Sequence, residues 1–350
     1  MTQTASPSRP RSRPSALSPY AVLDLLLRGR AFFALIVIII TFSMLSPRYL
    51  TVSNMLIMTN HVAIFALLAL GMLLVILSGG IDLSVGSVLA LCGVVAGWLL
   101  QGVELTAFGV IVYPPVWAVV LMTLGVGALV GAVNGVLVAY LKVPAFVATL
   151  GTLYVARGVA LLMTNGLTFN NLAGRPEYGN TGFEWLGFYR IWGVPIGVII
   201  MVVVALAATF LLTRTSFGRW LYAAGGNMNA AELSGVPVKR VQVTVYVLSG
   251  LCAAIAGLVL SSQLTSAGPT AGNTYELTAI AAVVIGGAAL TGGRGTVLGT
   301  LLGAFVIGYL SNGLVIIGVS SYWQTVFTGA VIVLSVLLNS IQYGKRASRS

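Results

Sequence analysis

The sequence predicts an all-α integral membrane protein with about ten transmembrane helices. Of its 350 residues 58% are hydrophobic and only 7% are charged, and the mean hydropathy is +1.01. Long apolar runs recur along the chain, and a helix needs ~20 such residues to cross a bilayer. The 42 glycines are typical of membrane helices that pack backbone against backbone. This composition excludes an ordinary soluble domain, a disordered chain and a nucleic-acid-binding protein.

Ten apolar runs define a transmembrane domain over residues 31–341. The first and eighth are short, and the glycine-rich stretches are compatible with broken or re-entrant segments buried in protein. The predicted spans are 31–46, 61–78, 84–101, 115–139, 144–163, 193–213, 242–262, 277–290, 297–317 and 322–341. An even number of spans places both ends of the chain on the same side of the membrane.

The two ends are polar and basic. Residues 1–30 carry five arginines, and residues 342–350 form a second basic tail. We expect the first to be a cytoplasmic tail, because about thirty residues precede the first apolar run and no small-x-small cleavage site follows it. The five arginines are Arg9, Arg11, Arg13, Arg28 and Arg30.

The distribution of charge supports this topology. With Arg157 placed inside a span, the ten-span arrangement puts +11 on the cytoplasmic side and −1 on the outer side, as the positive-inside rule requires. It also defines an outer loop, 164–192, and one sizeable inner loop, 213–241. The outer loop is either a solvated loop with interfacial aromatic residues or a docking surface for a soluble partner; its markers are Asn170, Asn171, Trp185 and Trp192.

The inner loop contains the pattern of a short helix. Asn227 or Asn229 is a candidate N-cap, and Gly235 with Pro237 is expected to end the helix. Two turns of helix are not stable alone in water, so we expect the segment to lie against a partner. The helix would run through Ala230, Ala231, Glu232 and Leu233.

At these residues the chain resembles the permease subunits of ribose/xylose/arabinose-type ABC sugar importers, over about residues 50–340. In that family the inner segment is the helix that couples to the ATPase, and the matching positions here are Gly225, Gly226, Asn227, Ala230, Ala231, Leu233, Ser234 and Gly235. Further matching blocks are VILSGGIDLSVGS (75–87), KVPAFVATLGT (142–152), ARGVALLMTNG (156–166) and PTAGNTYELTAIAAVVIGGAALTGGRGTVLGT (269–300).

The resemblance implies a monosaccharide importer of the bacterial inner membrane, with a pentose such as ribose as the expected cargo. It implies three protein partners: a separate ATPase subunit, a periplasmic sugar-binding protein, and a second permease that is either another copy or a paralogue. A polyol, a nucleoside or a furanose signal remain alternative cargoes. The rival function is an ion-coupled secondary carrier, which the scarcity of acidic residues inside the spans disfavours.

The chain itself has no sequence pattern of an enzyme or of a cofactor site. Leu77-Ser78-Gly79-Gly80 matches the start of an ABC signature by chance, because Ile81 follows where Gln belongs. The Gly-Lys-Ser/Thr of a phosphate-binding loop is absent from the sequence. Cys92 and Cys252 are expected to be packing residues and His61 a helix-end residue, so no metal site is predicted.

Five polar residues are candidates for the translocation path or its gate. Asp82 either caps the following helix or contacts a gate or the ATPase. Arg157, the one charge inside a span, either lines the sugar path or makes an ion pair or cap. Asn273, Tyr275 and Glu276 end an outer loop, where they would bond a passing sugar or simply start a helix.

A faint internal repeat has a constant offset of 213 residues. Leu77-Ser78-Gly79-Gly80 aligns with Leu290-Thr291-Gly292-Gly293, and Gly86-Ser87 aligns with Gly299-Thr300. Both Gly-Gly pairs are predicted to form tight turns at the cytoplasmic ends of helical hairpins, because glycine allows positive φ and close backbone approach. Common ancestry of the halves and independent turn chemistry are both compatible with the match.

Overall fold

The computed structural model describes residues 29–107, 109–320, 322, 323, 326, 327, 329, 330 and 333. The cytoplasmic placement of 1–28 and 342–350 and most of the predicted span 322–341 lie outside these residues. The principal helices are α1 (Arg30–Leu45), α2 (Val52–Leu77), α3 (Val85–Gln101), α4 (Val116–Ala139), α5 (Ala145–Thr164), α6 (Trp185–Phe188), α7 (Ile196–Arg214), α8 (Ser216–Gly226), α9 (Met228–Leu233), α10 (Val238–Leu264), α11 (Tyr275–Ile285) and α12 (Val297–Ile316).

The predicted apolar runs correspond to helices throughout the described part of the chain. Six helices (α2, α4, α5, α7, α10 and α12) are long and apolar enough to cross a membrane, whereas α1, α3 and α11 are shorter apolar helices. The all-α membrane class is therefore confirmed, while the total of ten crossings and the side of each end stay predictions.

The second helix begins nine residues earlier than predicted. Polar residues after position 51 argue against a membrane helix, but the structure pairs several polar groups at this end: Thr51 caps α2, and Asn54 donates to the Tyr49 carbonyl at 2.7 Å. Thr59 lies 3.1 Å from the Tyr309 hydroxyl of α12. With 26 residues, α2 is about 39 Å long and is the buried centre of the bundle.

Glycine lets the helices α4 and α10 approach closely. Gly127, Gly131 and Gly135 form one face of α4, and α10 packs directly against it. A Cβ on Gly127 would lie 2.5 Å from the Gly250 carbonyl oxygen, and one on Gly135 would lie 2.7 Å from Val243 Cα. This is the small-residue packing that membrane helices use in place of a hydrophobic driving force.

Short strands form where the longer connections meet at one end of the bundle. Strands β1 (Val103–Leu105) and β2 (Val110–Val112) form an antiparallel hairpin, as do β4 (Arg190–Ile191) and β5 (Val194–Pro195). Strand β3 (Phe169–Asn170) pairs antiparallel with β6 (Ser266–Ala267), and a 3₁₀ turn covers Pro176–Tyr178. The connection 164–192 is therefore folded onto the bundle.

The chain between α10 and α11 turns back along α3 without forming a helix. Ala267 lies beside Gly97, near one end of α3, and Gly272 lies beside Gly86, in its first turn. These two glycines of α3 are eleven residues apart, which corresponds to about 16 Å. The segment 268–274 therefore descends along a helix of the bundle, which is the re-entrant geometry that the glycine-rich sequence allowed.

Candidate coupling and translocation sites

The inner loop folds into two consecutive helices. Thr215 caps α8, an amphipathic helix that sequence reasoning missed although its Thr cap and its Leu221 and Ala224 were visible signals. Asn227 then caps α9, with its Oδ1 accepting from the Ala230 amide at 3.0 Å. Of the two candidate caps, Asn227 is therefore the one used, and Asn229 lies inside the helix.

The end of α9 is also as predicted. Gly235 has φ +82°, and the Val236 amide donates to the Ala231 carbonyl at 3.0 Å, so the chain reverses and leads through Pro237 into α10. Ser234 donates to the Ala230 carbonyl. The short helix is thus closed at both ends by its own residues.

One face of α9 is anchored and the other is open. Ala231 is buried in a small cluster with Ala224 of α8 and Val238 of α10. Leu233, in contrast, is 91% exposed. Near α9, the Nζ of Lys239 lies 5.6 Å from the ring centroid of Tyr140. This contact places the α4–α5 connection next to the start of α10. An exposed leucine on an anchored two-turn helix is an available contact for a partner.

Asp82 is the centre of a buried polar network in the turn between α2 and α3. Its Oδ1 accepts from the Ser84 amide at 3.0 Å and from the Ser84 hydroxyl at 2.6 Å, as the capping interpretation predicts. Its Oδ2 accepts from Ser249 of α10 at 2.8 Å, a partner that no sequence pattern indicated. Burial raises the pKa of Asp82, and the hydrogen bonds from the two serines partly offset that rise.

The network continues into α4 and α5. Asn134 donates to the Ser84 hydroxyl at 2.9 Å, and Thr152 donates to Asn134 Oδ1 at 2.5 Å. Thr149 donates to the Ile81 carbonyl at 3.2 Å. Four helices are therefore joined through the residues next to Asp82, and its carboxylate is a structural link in the described part of the chain.

Arg157 holds the re-entrant segment. Its Nη1 donates to the carbonyl oxygens of Pro269 and Ala271 at 2.6 and 2.8 Å. Because the segment 268–274 is not helical, its carbonyls need such donors. Arg157 is therefore a cap for irregular backbone, and it places the start of α11.

Tyr275 and Glu276 begin α11 beside the first turn of α3. The rings of Tyr275 and Phe65 are 4.8 Å apart. Glu276 Oε2 is buried without a hydrogen-bond partner among the described residues, and it occupies the space where a side chain on Gly86 would be. The prediction placed Glu276 at the end of an outer loop, but the re-entrant segment carries it about 16 Å along α3 from the strand-bearing end.

Arg157, Tyr275 and Glu276 therefore lie in one region, and Asp82 lies in the turn that precedes α3, four residues before Gly86. Asn273 and Thr274 are exposed just before α11. The described residues contain no group of three or more His, Cys, Asp or Glu that could hold a metal ion, and both cysteines are buried.

Comparison with known proteins agrees with this architecture. Residues 54–336 match the family described as branched-chain amino acid transport system / permease component. The chain is 45% identical to the ribose import permease protein RbsC of Escherichia coli K12 over 90% of this chain and 94% of the relative. It is 45% identical to RbsC of Bacillus subtilis 168, over 88% and 91% of the two chains.

A xylose relative is more distant. The xylose transport system permease protein XylH of Escherichia coli K12 is 37% identical over 83% of this chain and 86% of its own length. No solved structure matches the chain. The resemblance to ribose- and xylose-type sugar permeases is thus confirmed, and with its apolar helices this is a multi-pass inner-membrane protein. The chain belongs to the permease-component family of these transport systems.

Proposed function

We propose that this chain is the membrane-spanning subunit of an ATP-driven importer for a monosaccharide, with ribose or a closely related pentose as cargo. The observation that carries the proposal is the 45% identity to ribose import permeases over nearly the whole of both chains. The folded inner loop and the polar re-entrant segment supply the two features that such a subunit needs.

The first feature is a contact for an ATPase. Helix α9 is capped at both ends, anchored through Ala231 and open at Leu233. We assign the ATPase contact to α9 and its two ends, residues 227–235, because the folded helix presents the exposed leucine. ATP hydrolysis belongs to the partner, and this chain transmits the resulting movement.

The second feature is a polar passage. Irregular backbone at membrane depth is tolerated where it is buried in protein or lines a water-filled cavity. Asn273 and Thr274 are exposed in such a segment, held by Arg157 and followed by Tyr275 and Glu276. These groups offer the hydrogen bonds and the ring surface that a sugar needs while it passes, so we assign them to the translocation path. Asp82 supports this region through the first turn of α3.

The exposed polar face also argues for a second permease. Asn273 and Thr274 are exposed, and exposing their polar groups to lipid would cost free energy. The same holds for the hydroxyl of Tyr154, a residue that is 70% exposed in the middle of α5. A second copy of this chain, or a paralogue, facing this side would enclose the passage between two subunits.

The strand-bearing end suits a soluble sugar-binding protein. The connection 164–192 is fixed by Asn180, whose Nδ2 donates to the Leu100 carbonyl at 2.9 Å, and by Ser262, which donates to the Phe183 carbonyl at 2.7 Å. Trp192 is 99% exposed on this folded surface. A rigid surface with exposed aromatic residues favours docking of a partner over a loose loop.

The test is ATP hydrolysis by the chain in nanodiscs with the ATPase and the binding protein of the same importer. Pentoses, hexoses, polyols and nucleosides are compared. Stimulation by one pentose supports the proposal, whereas stimulation by a polyol, a nucleoside or a furanose signal would reassign the cargo. Hydrolysis that no ligand changes would contradict the importer.

A further inference from the structure

Three glycine pairs that are far apart in sequence meet at the C-terminal end of α8. We call this contact the glycine junction: Gly79-Gly80, Gly225-Gly226 and Gly292-Gly293. A Cβ on Gly225 would overlap the Leu77 carbonyl oxygen and lie 2.5 Å from the Gly293 amide nitrogen. The Gly293 amide in turn donates to the Leu77 carbonyl at 3.0 Å. Backbone therefore touches backbone at this point, with no side chain between.

The junction joins both halves of the internal repeat. Gly79 and Gly292, which are equivalent at the offset of 213, have φ of +83° and +92°. A Cβ on Gly292 would lie 3.0 Å from the Gly79 amide nitrogen and 2.8 Å from the Gly225 carbonyl oxygen. The two aligned turns are thus in contact with each other, and the end of α8 packs against both of them.

A side-chain hydrogen bond also holds α8 against the α11–α12 connection. The Tyr222 hydroxyl donates to the Gly295 carbonyl at 2.8 Å, one residue before the cap of α12. The helices that meet at the junction are therefore α2 and α3 on one side and α11 and α12 on the other. The first turns of α3 and α11 also touch each other, at Gly86 and Glu276.

These contacts leave little freedom for α8 to move alone. A side chain can change rotamer to absorb a displacement, but closely packed backbone can only shift as a unit. Only Asn227 separates α8 from α9. A displacement of α9 would therefore reach both glycine turns through the end of α8.

We infer that Gly225 is a positioning residue that passes movement of α9 to the α2–α3 and α11–α12 hairpins together. This inference rests on the proposed coupling of α9 to an ATPase. It connects that coupling to the proposed passage, because the Gly86–Glu276 contact lies between the two hairpins that the junction moves.

The test compares two neighbouring substitutions in the full reconstituted complex. Gly225→Ala inserts a methyl group into the junction, whereas a Cβ on Gly226 meets no heavy atom within 4 Å, so Gly226→Ala is the matched control. We expect Gly225→Ala to keep ATPase binding within about twofold and to keep basal hydrolysis. We expect it to lower ribose-stimulated hydrolysis and uptake about tenfold, with Gly226→Ala like the wild type.

Tyr222→Phe provides the second variant, which adds no volume and removes one hydrogen bond. It should lower ribose-stimulated hydrolysis about threefold to fivefold while ATPase binding stays unchanged. If Gly225→Ala does not fold, the result for Tyr222→Phe alone tests the inference.

Wild-type stimulation in both Gly225→Ala and Tyr222→Phe would overturn the inference. Loss of ATPase binding in parallel with loss of stimulation would also overturn it, because the residue would then support docking alone. A wild-type chain that never binds the ATPase would contradict the proposed function itself, which keeps the two failures distinct.

Discussion

At the scale of single residues, the buried carboxylate of Asp82 illustrates what local sequence can and cannot predict. Its bond to the Ser84 amide follows from a spacing of two residues at the start of a helix, and it was predictable. Its bond to Ser249 joins residues 167 positions apart. Neither serine has a sequence signature, so only the fold brings the second partner to Asp82.

Replacing Asp82 should therefore destabilise the protein through the groups it leaves unpaired. Asp82→Ala removes the acceptor for Ser84 and Ser249, both buried, at about 1–3 kcal/mol for each unsatisfied group. We expect a clear fall in the melting temperature in detergent, and a smaller fall for the isosteric Asp82→Asn. An unchanged melting temperature in Asp82→Ala would show that the network contributes little.

Replacing Arg157 should impair transport, because it also leaves polar groups without a partner. Arg157→Ala frees the carbonyls of Pro269 and Ala271 and should lower uptake by tenfold or so, with α9 and ATPase binding unaffected. Val155→Ala, on the exposed side of the same helix, is the control and should transport normally. Equal uptake by the two variants would show that the bonds from Arg157 to the re-entrant segment are not needed for transport.

At the scale of elements, the apolar runs predicted the helices well because burial in lipid or protein selects long hydrophobic segments. The start of α2 was predicted too late, because partners elsewhere in the fold satisfy its polar residues. Residues 268–274 were correctly left outside the predicted helices, but the sequence did not show that they turn back along α3. Helix α8 was missed because its amphipathic pattern is short and lies inside a polar loop.

The cap of α9 gives a test at this scale. Asn227→Ala removes the side-chain acceptor for the Ala230 amide, which costs about 1 kcal/mol in a helix of six residues. We expect ATPase affinity to fall about fivefold in a binding titration. Asn229→Ala, inside the same helix and not at its cap, should bind normally. Equal affinities for both variants would mean that the helix is not the docking element.

The contact between α11 and α12 gives a second test. A Cβ on Gly303 would overlap the Ala282 carbonyl oxygen, so Gly303→Ala should destabilise the fold by about 1–3 kcal/mol. Gly125, also inside a helix, has open space, and Gly125→Ala should unfold at the wild-type temperature or slightly above it. Thermal unfolding in detergent compares them, and equal destabilisation would show that helix crossing is not close at Gly303.

At the scale of the whole molecule, the proposed coupling helix and the proposed passage are connected by a short series of contacts. The inner helix α9 is connected to the glycine junction through α8. The junction contacts the α2–α3 and α11–α12 hairpins, and the first turns of α3 and α11 touch each other at Gly86 and Glu276. The segments that meet here lie within the stretches that carry the family resemblance. The sequence did not predict that residues 79–80, 225–226 and 292–293 meet. A glycine pair indicates a turn, but it does not indicate which segment packs against that turn.

We propose that this chain imports a sugar by using a partner's ATP hydrolysis. The most direct measurement is accumulation of radiolabelled ribose by proteoliposomes that contain the complex, with the binding protein on one side and ATP on the other. We expect uptake against a concentration gradient that requires both ATP and the binding protein. Uptake by the chain alone, driven by a proton or sodium gradient without the ATPase, would contradict ATP-driven import and identify a secondary carrier.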